Sequence, residues 1–258
     1  MRKFLVAGAI LMAASQANAA LIAGDIAFTS FNADEDGFSL VAFVDIGINT
    51  TVFFTDNEWN GSAIGAGGAF PLPGENYLQW NTGASVISAG SVVRFSKVQE
   101  TTLSASLGSF SRVTVAGNTN YGIANSNETI YAYLGTSATA PSTFLAAITN
   151  GNFATDGSIA NTGLVQGTSA MDLNGAASYT PDYAEYTGPR SGFASFTDYK
   201  ALVANTANWN VDTTNGTYTN TIPNTTAFTT VAPVPVPAAA WLLGSALLGM
   251  AGLRRRKV

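Results

Sequence analysis

Residues 38–46 read FSLVAFVDI, and this stretch decides the fold class. Apolar side chains occupy both alternating sets of positions, which predicts a central β-strand that is buried on two faces. Residues 91–98 read SVVRFSKV and follow a different pattern. There Val93 and Phe95 fall on one face while Arg94 falls on the other, which is typical of a half-buried antiparallel strand. Together the two patterns predict an all-β fold, an antiparallel β-sandwich.

Short apolar segments extend this pattern along the chain, separated by Gly, Asn and Pro. They are rich in β-branched and aromatic residues, which favour strands over helices. The predicted strands are 24–31, 38–45, 51–55, 77–80, 91–98, 111–115, 129–134 and 143–149.

One segment near the end of the body, SFTDYKALVAN at 195–205, has helical periodicity instead. Ser195 stands at the N-cap position, and Asp198 stands at the position that completes a capping box. The apolar side chains that share one face of this helix are Phe196, Tyr199, Leu202 and Val203. We expect a single short helix that closes one end of the sandwich.

The distribution of charge divides the chain into a body and two terminal segments. Of the 11 Lys and Arg residues in the 258-residue chain, six lie among the first three and last five residues. The body therefore carries five cations against all 16 Asp and Glu residues, a net charge of −11. Such a body repels phosphate backbones, which argues against nucleic acid as a partner.

The chain contains neither histidine nor cysteine. Without histidine, a Ser/His/Asp triad and imidazole-ligated zinc are excluded. Without cysteine, disulfides and thiolate metal sites are excluded as well, so the fold must depend on its core. No catalytic residue is assigned from the sequence.

The N-terminal segment, residues 1–19, has the three parts of a secretory signal peptide. Arg2 and Lys3 precede an apolar stretch, and small residues follow at Ala17 and Ala19. This order predicts export, with cleavage between Ala19 and Ala20.

The C-terminal segment, residues 234–258, reads VPVPAAAWLLGSALLGMAGLRRRKV. Its apolar run Ala238–Leu253 would form a helix of about 24 Å, slightly shorter than a bilayer core of about 30 Å. The four cations that stop the run at the cytoplasmic side are Arg254, Arg255, Arg256 and Lys257. The pattern predicts a transmembrane helix in the precursor that is marginal as a permanent anchor. A plain single-pass tail anchor is the alternative. A core helix of a soluble domain is disfavoured, because the segment is apolar on all sides and is followed by a basic cluster.

The order of Pro motif, short membrane helix and basic tail resembles the C-terminal signal of the PEP-CTERM family, in its VPLPA-type variant. The residues that match the motif are Val234, Pro235, Val236, Pro237, Ala238 and Ala239. Val236 departs from the best-known form, which has Glu between the prolines. The resemblance implies an exosortase-type membrane protease as a partner, and a precursor held in the inner membrane only transiently through Ala238–Leu253.

The predicted domain organisation is a signal peptide at 1–19, a β-sandwich ectodomain at 20–210, a Thr/Asn/Pro-rich linker at 211–233 and the sorting signal at 234–258. Residues 24–61 and 186–209 also resemble the opening and closing segments of an uncharacterised β module of secreted bacterial proteins. That resemblance implies a β fold and export, and it implies no catalytic residues.

One acidic turn has the spacing of a calcium loop. In NADEDGF at 32–38, Asn32, Asp34 and Asp36 alternate as such a loop begins, but position twelve is Phe43 where an EF-hand has Glu. An EF-hand is thus excluded, and a smaller calcium site completed by Asp56 and Glu58 is the hypothesis. The alternative is that these residues only form turns.

Three functions remain open at this stage. The first is a non-enzymatic surface or extracellular-matrix protein, associated with exopolysaccharide or biofilm. The second is a calcium-dependent carbohydrate-binding module, in which Trp59, Tyr77 and Trp80, if exposed, would stack on sugar rings; the alternative, which is the commoner one for such residues, is that they belong to the core. The third is a glycoside hydrolase, in which two of the four carboxylates Asp34, Asp36, Asp56 and Glu58 would act as acid and base.

Overall fold

The computed structural model describes residues 20–118, 120–176 and 180–231. The predicted signal peptide, its cleavage bond after Ala19 and the predicted sorting signal at 234–258 lie outside these residues. Within the described part of the chain, no helix has the length and apolar character that a membrane crossing requires.

Twelve strands occur in the described residues. In chain order they are β1 (Ile26–Asn32), β2 (Gly37–Ala42), β3 (Thr51–Thr55), β4 (Tyr77–Asn81), β5 (Val92–Ser96), β6 (Ser104–Ala105), β7 (Ser109–Arg112), β8 (Thr129–Ser137), β9 (Ala140–Thr149), β10 (Ala170–Asp172), β11 (Tyr183–Tyr186) and β12 (Trp209–Val211). The first sheet has the order β12-β11-β1-β2-β5-β6, and the second has the order β10-β9-β8-β3-β4-β7. Neighbouring strands pair antiparallel except β10, which runs parallel to β9. The prediction of a mostly β fold with two sheets is confirmed.

The sheets pack face to face through aromatic side chains. Phe38 on β2 and Phe95 on β5 stack with their ring centroids 4.9 Å apart, and Phe54 on β3 lies 5.0 Å from each of them. All six residues of β2 are buried, and the strand lies between β1 and β5. The prediction of a central strand buried on both faces is therefore confirmed.

The second sheet is buried on its outer face as well. Side chains alternate along β3, so that Phe54 faces the first sheet while Phe53 faces outward to Tyr133. The connection between β3 and β4 covers this outer face, where the Trp59 ring lies 5.0 Å from the Phe144 ring and 5.1 Å from the Phe70 ring. A long connection thus acts as a third layer.

Some strands differ from their predicted bounds. The segment expected at 111–115 is displaced to Ser109–Arg112, because its register on β4 pairs Ser109 with Asn81 and Arg112 with Leu78. Strands β6, β10, β11 and β12 were not predicted. They have two to four residues each, which is too short to show a period in the sequence.

The predicted helix near the C-terminal end is confirmed. A 3₁₀ turn at Phe196–Tyr199 leads directly into the short helix α1, Lys200–Val203. The backbone N–H of Ser195 donates to Asp198 Oδ2 at 2.9 Å, which satisfies one of the free donors at the helix start. Tyr199 and Val203 are buried, as their shared face predicts.

Residues 212–231, which we call the C-terminal strap, pack against the sandwich where the sequence suggested a linker. The Tyr218 ring stacks on the Tyr183 ring at a centroid distance of 4.4 Å, with 9° between the ring planes. At the far end of the strap, Val231 N donates to the Phe193 carbonyl at 2.9 Å. Thr and Asn dominate the strap and made it resemble a linker, but its two aromatic residues fix it to the domain.

The second of these aromatic residues, Phe228, is buried beside α1. Its ring centroid lies 5.1 Å from that of Tyr199, 5.7 Å from that of Tyr186 and 6.4 Å from that of Phe43. Its backbone N–H donates to the Gly90 carbonyl at 2.8 Å. The strap is therefore part of the core and not an appendage.

Truncation of Phe228 tests this packing. We expect Phe228→Ala to lower the free energy of unfolding by about 3–5 kcal/mol, since it removes a buried ring. The matched control is Ile222→Ala on the same strap, where the side chain is 71% exposed and the change should stay within about 0.5 kcal/mol. Urea denaturation of both variants gives the answer, and equally small changes in both would show that the strap does not pack in solution.

Candidate functional site

Acidic residues gather at one end of the sandwich, which we call the acidic end. Strands β1 and β3 finish there, and β2, β4, β8 and β11 begin there. Hydrogen bonds from Ile123 and from the Arg112 guanidinium join the sheets at this end. Ile123 N donates to Asp36 Oδ1 at 2.6 Å, and Arg112 Nε donates to the Val98 carbonyl at 3.0 Å.

The predicted calcium ligands of the first turn point in two directions. Asn32 and Asp34 contact the strap: Asn32 Nδ2 donates to the Tyr218 carbonyl at 3.0 Å, and Tyr218 N donates to Asp34 Oδ2 at 2.6 Å. Asp36 instead accepts from Ile123 of the loop before β8. The turn therefore satisfies neighbouring backbone donors, as acidic turn residues commonly do.

Asp56 and Glu58, the remaining predicted ligands, follow β3 in the second sheet and belong to a different group of carboxylates. The five residues therefore do not form one coordination set, because they end strands of opposite sheets. Across the described ranges, no three or more acidic side chains are arranged to hold a metal ion.

A polar groove of about 460 Å³ opens at the acidic end between the β1–β2 turn and the loop before β8. Its side chains and backbone come from Ala33, Asp34, Asp36, Gln99, Asn120, Gly122, Ile123, Ala124 and Asn125. Carboxylates and amides thus supply hydrogen-bond acceptors and donors in one concave surface. We call this the polar groove. Sequence patterns identified Asp34 and Asp36 but missed Gln99, Asn120 and Asn125, which lie in loops with no motif.

Asp36 lines this groove and binds the loop on its other side through the hydrogen bond from Ile123 N. Burial raises the pKa of Asp36, and the charges of Glu100 and Glu35 add to this, while the hydrogen bond from Ile123 N opposes it. The loop approaches the turn closely at Gly122, where an added Cβ would lie 3.2 Å from Asp36 Oδ1 and 2.7 Å from Nε2 of the exposed Gln99 side chain.

Next to the groove, Asp182 and Asp212 form a carboxyl pair beneath the strap. Burial, then hydrogen bonding to Asp212, raises the pKa of Asp182 to about 6. The pKa of Asp212 is lowered, because hydrogen bonds from Asp182 and from the Thr214 and Gly216 N–H groups outweigh its burial. Below about pH 6 Asp182 therefore holds a proton that it can donate to Asp212, and Asp212 accepts from the Thr214 and Gly216 N–H groups in the first turn of the strap.

A second group of carboxylates lies at the end of β3, centred on buried Asp56. Asp56 Oδ1 accepts from Asn76 N at 2.8 Å, and Asp56 Oδ2 accepts from Asn76 Nδ2. Burial raises the pKa of Asp56 well above its usual value, and the charges of Glu128 and Glu75 add to the effect. Asp56 is 2% exposed, so it is not open to a substrate in the way a glycoside hydrolase carboxylate must be.

Glu128, at the start of β8, is the partner that the sequence did not indicate. Its carboxyl oxygens accept from Ala124 N at 3.1 Å and from Thr129 N at 3.2 Å. Burial raises the pKa of Glu128 to about 8, with a further contribution from the charge of Glu75. Burial also raises the pKa of Glu58, together with the charge of Asp156.

The aromatic residues proposed to stack on sugars do not reach the surface. Trp59, Tyr77 and Trp80 are each at most 4% exposed, and Trp80 Nε1 donates to the Leu107 carbonyl at 2.8 Å. The stacking hypothesis is therefore wrong and the core alternative is confirmed: Trp80 lies between the two sheets, while Trp59 and Tyr77 pack in the layer on the outer face of the second sheet. The half-buried aromatic residue beside the groove is Tyr121, whose ring lies 4.2 Å from the Arg112 guanidinium carbon.

The buried carboxyls make the free energy of unfolding depend on pH. Glu128 binds its proton up to about pH 8 in the folded state, whereas an unfolded Glu loses it near pH 4.5. The folded state therefore holds more protons between these values, and stability falls as the pH rises, by up to about 1.4 kcal/mol per pH unit for each such proton. We expect the unfolding midpoint to be higher at pH 5 than at pH 8.

Two substitutions test whether Glu128 causes this pH dependence of the free energy of unfolding. Glu128→Gln should reduce the slope between pH 5 and pH 8, because Gln does not titrate. Glu100→Gln, at an exposed carboxyl of the same end, should leave most of the slope in place, because the charge of Glu100 acts on Asp36 and not on Glu128. Thermal unfolding across this range measures both, and an unaltered slope in Glu128→Gln would contradict the assignment.

The chain was also compared with known proteins. No protein family, curated protein or solved structure matches it. Its function must therefore be argued from the groove, the carboxyl groups and the terminal segments.

Proposed function

We propose that the mature protein is an exported, non-enzymatic component of the cell surface or extracellular matrix that binds exopolysaccharide through the polar groove. Export rests on the signal peptide pattern at 1–19. Sorting rests on the segment at 234–258, through which the precursor is held in the inner membrane and processed by an exosortase-type protease.

The observation that carries the binding function is the chemistry of the polar groove. Its volume of about 460 Å³ lies within the range of sites that take small ligands or a few sugar units. Asp34 and Asp36 supply acceptor oxygens, while Gln99, Asn120 and Asn125 supply both donors and acceptors. A neutral ligand rich in hydroxyl groups fits this set, whereas a phosphate-bearing ligand would be repelled.

The groove also lies at the opposite end of the sandwich from the first and last described residues, Ala20 and Val231. Ala20 lies in a cleft with Thr51 at the start of β3, and Val231 lies beside Phe193, both away from the acidic end. A precursor anchored through its C-terminal segment would therefore present the groove outward. This arrangement suits a protein that contacts matrix polymers while attached to the cell.

A calcium-dependent carbohydrate-binding module is the second candidate. Asp34 and Asp36 both line the groove, so a bound calcium ion would have carboxylates on one side and sugar hydroxyls on the other. The binding assay below includes a chelator, because loss of binding on chelation distinguishes this candidate from the first.

Substitutions in the groove test polysaccharide binding. The exposed side chains Gln99 and Asn125 are removed together in Gln99→Ala/Asn125→Ala, which should weaken binding about 30- to 150-fold if each contributes about 1 to 1.5 kcal/mol. Thr136→Ala, an exposed residue of the cleft at the opposite end, is the control and should bind as wild type. A glycan array followed by titration with the exopolysaccharide measures the effect.

Two outcomes of this assay would contradict the proposal. One is silence of the wild-type protein across all glycans and polysaccharides. The other is equal binding by the groove variant and the control. Binding that persists with chelator supports the first candidate, and binding that disappears supports the calcium-dependent module.

Mass spectrometry of the exported protein tests the sorting step. We expect an N-terminus at Ala20 and a C-terminus near the motif 234–239, because processing removes the membrane helix and the basic tail. A C-terminus that extends to Val258 in exported material would contradict processing and leave a plain membrane anchor.

A further inference from the structure

The end of the sandwich opposite the acidic end carries a set of exposed apolar side chains. The chain enters the domain at this end through Ala20 and leaves it through Val231, so we call it the exit end. The large apolar residues exposed there have between 41% and 63% of their side-chain surface in solvent; they are Ile22, Ile48, Val86, Leu107 and Val231. Single exposed apolar residues are common, but these share one end of the molecule.

The loops that present them are held together by the fold. The connection between β2 and β3 pairs with the connection between β4 and β5, where Ile46 and Ile87 form an antiparallel bridge. Asn49 N also donates to the Gly83 carbonyl at 2.7 Å. Ile48 and Val86 therefore project from two loops that form one rigid rim.

The exit end also differs from the acidic end in charge. Its carboxylates are few and engaged: Lys200 Nζ lies 3.4 Å from Asp25 Oδ1, and Asp45 Oδ1 accepts from Ala89 N at 2.8 Å. Arg190 lies there too, with its guanidinium carbon 4.9 Å from the centroid of the Phe228 ring. An anionic lipid surface would repel the acidic end more strongly than this one.

The length of the segment between the strap and the predicted membrane helix limits the distance between the exit end and a membrane. From Val231 to Leu253 the chain has no charged residue, and its apolar run begins at Ala238. Six residues lie between Val231 and Ala238, so the seven Cα–Cα steps span at most about 25 Å when fully extended. Because the strap is bound to the domain up to Val231, no longer linker intervenes.

We infer that the exit end docks on the outer surface of the lipid bilayer that receives residues 238–253, with Ile48, Val86 and Val231 in the headgroup region. This inference rests on the proposed membrane-held precursor. A tether this short keeps the rim at a high effective concentration near the lipid, so a weak apolar contact is sufficient. The docked domain directs its polar groove away from the membrane and holds the motif at 234–239 at the bilayer surface.

The absence of cysteine from the sequence makes a site-specific test direct. Single cysteines are introduced by Ile48→Cys and Val86→Cys at the exit end, and each is labelled with an environment-sensitive fluorophore. The controls are Gln99→Cys at the acidic end and Ile64→Cys, an exposed Ile in the connection between β3 and β4. The full chain from Ala20 to Val258 is reconstituted in vesicles of phosphatidylethanolamine and phosphatidylglycerol.

We expect the labels at positions 48 and 86 to shift their emission to the blue and to be quenched by nitroxide lipids. Labels at positions 99 and 64 should keep the emission they have in water. If the chain floats with the vesicles but all four labels behave alike, the docking inference is overturned while the anchor stands. If the chain does not float with the vesicles, the proposed anchor fails and the inference fails with it.

Discussion

The contact on which the rest of this structure depends is the packing of the Phe95 ring between the two sheets. Its centroid lies 4.9 Å from Phe38 in its own sheet, and 5.0, 4.9 and 5.5 Å from Phe54, Phe110 and Trp80 in the other. The chain has no cysteine, so the packing of these aromatic rings, and not a disulfide, holds the two sheets together. This packing also fixes how the two sheets are aligned along the strand direction. The turn after β1 and the residues after β3 therefore lie at the same end of the sandwich.

That alignment explains the unusual electrostatics of the acidic end. The cations nearest to it are already engaged, because Arg94 pairs with Glu35, Lys97 pairs with Glu100 and Arg112 donates to the Val98 carbonyl. The buried carboxyls must therefore be stabilised in other ways. Burial raises the pKa of Asp56, Glu128 and Asp182, and backbone N–H groups donate to Asp56 and Glu128. Raised pKa values and backbone hydrogen bonds thus accommodate these carboxyls in place of ion pairs. The same arrangement fastens the first turn of the strap, so the acidic end and the strap are stabilised together.

The strap runs from one end of the sandwich to the other. It starts beneath the acidic end at Asp212, crosses the first sheet and ends at Val231 on the opposite side. The side chains of the polar groove therefore lie at one end, and the first and last described residues, Ala20 and Val231, lie with the exposed apolar loops at the other.

The sequence by itself determined the fold class, the buried central strand and the capped helix at Ser195, because periodicity and capping are local properties that a few consecutive residues reveal. It also marked Asp34 and Asp36 at what became the polar groove. Only the tertiary structure decided which carboxylates meet, since Asp56 and Glu128 are far apart in the chain and come together through strand pairing between β3 and β8. It likewise decided that Trp59 and Trp80 are interior and that residues 212–231 are a packed strap. Burial depends on what distant segments cover, and no local pattern carries that information.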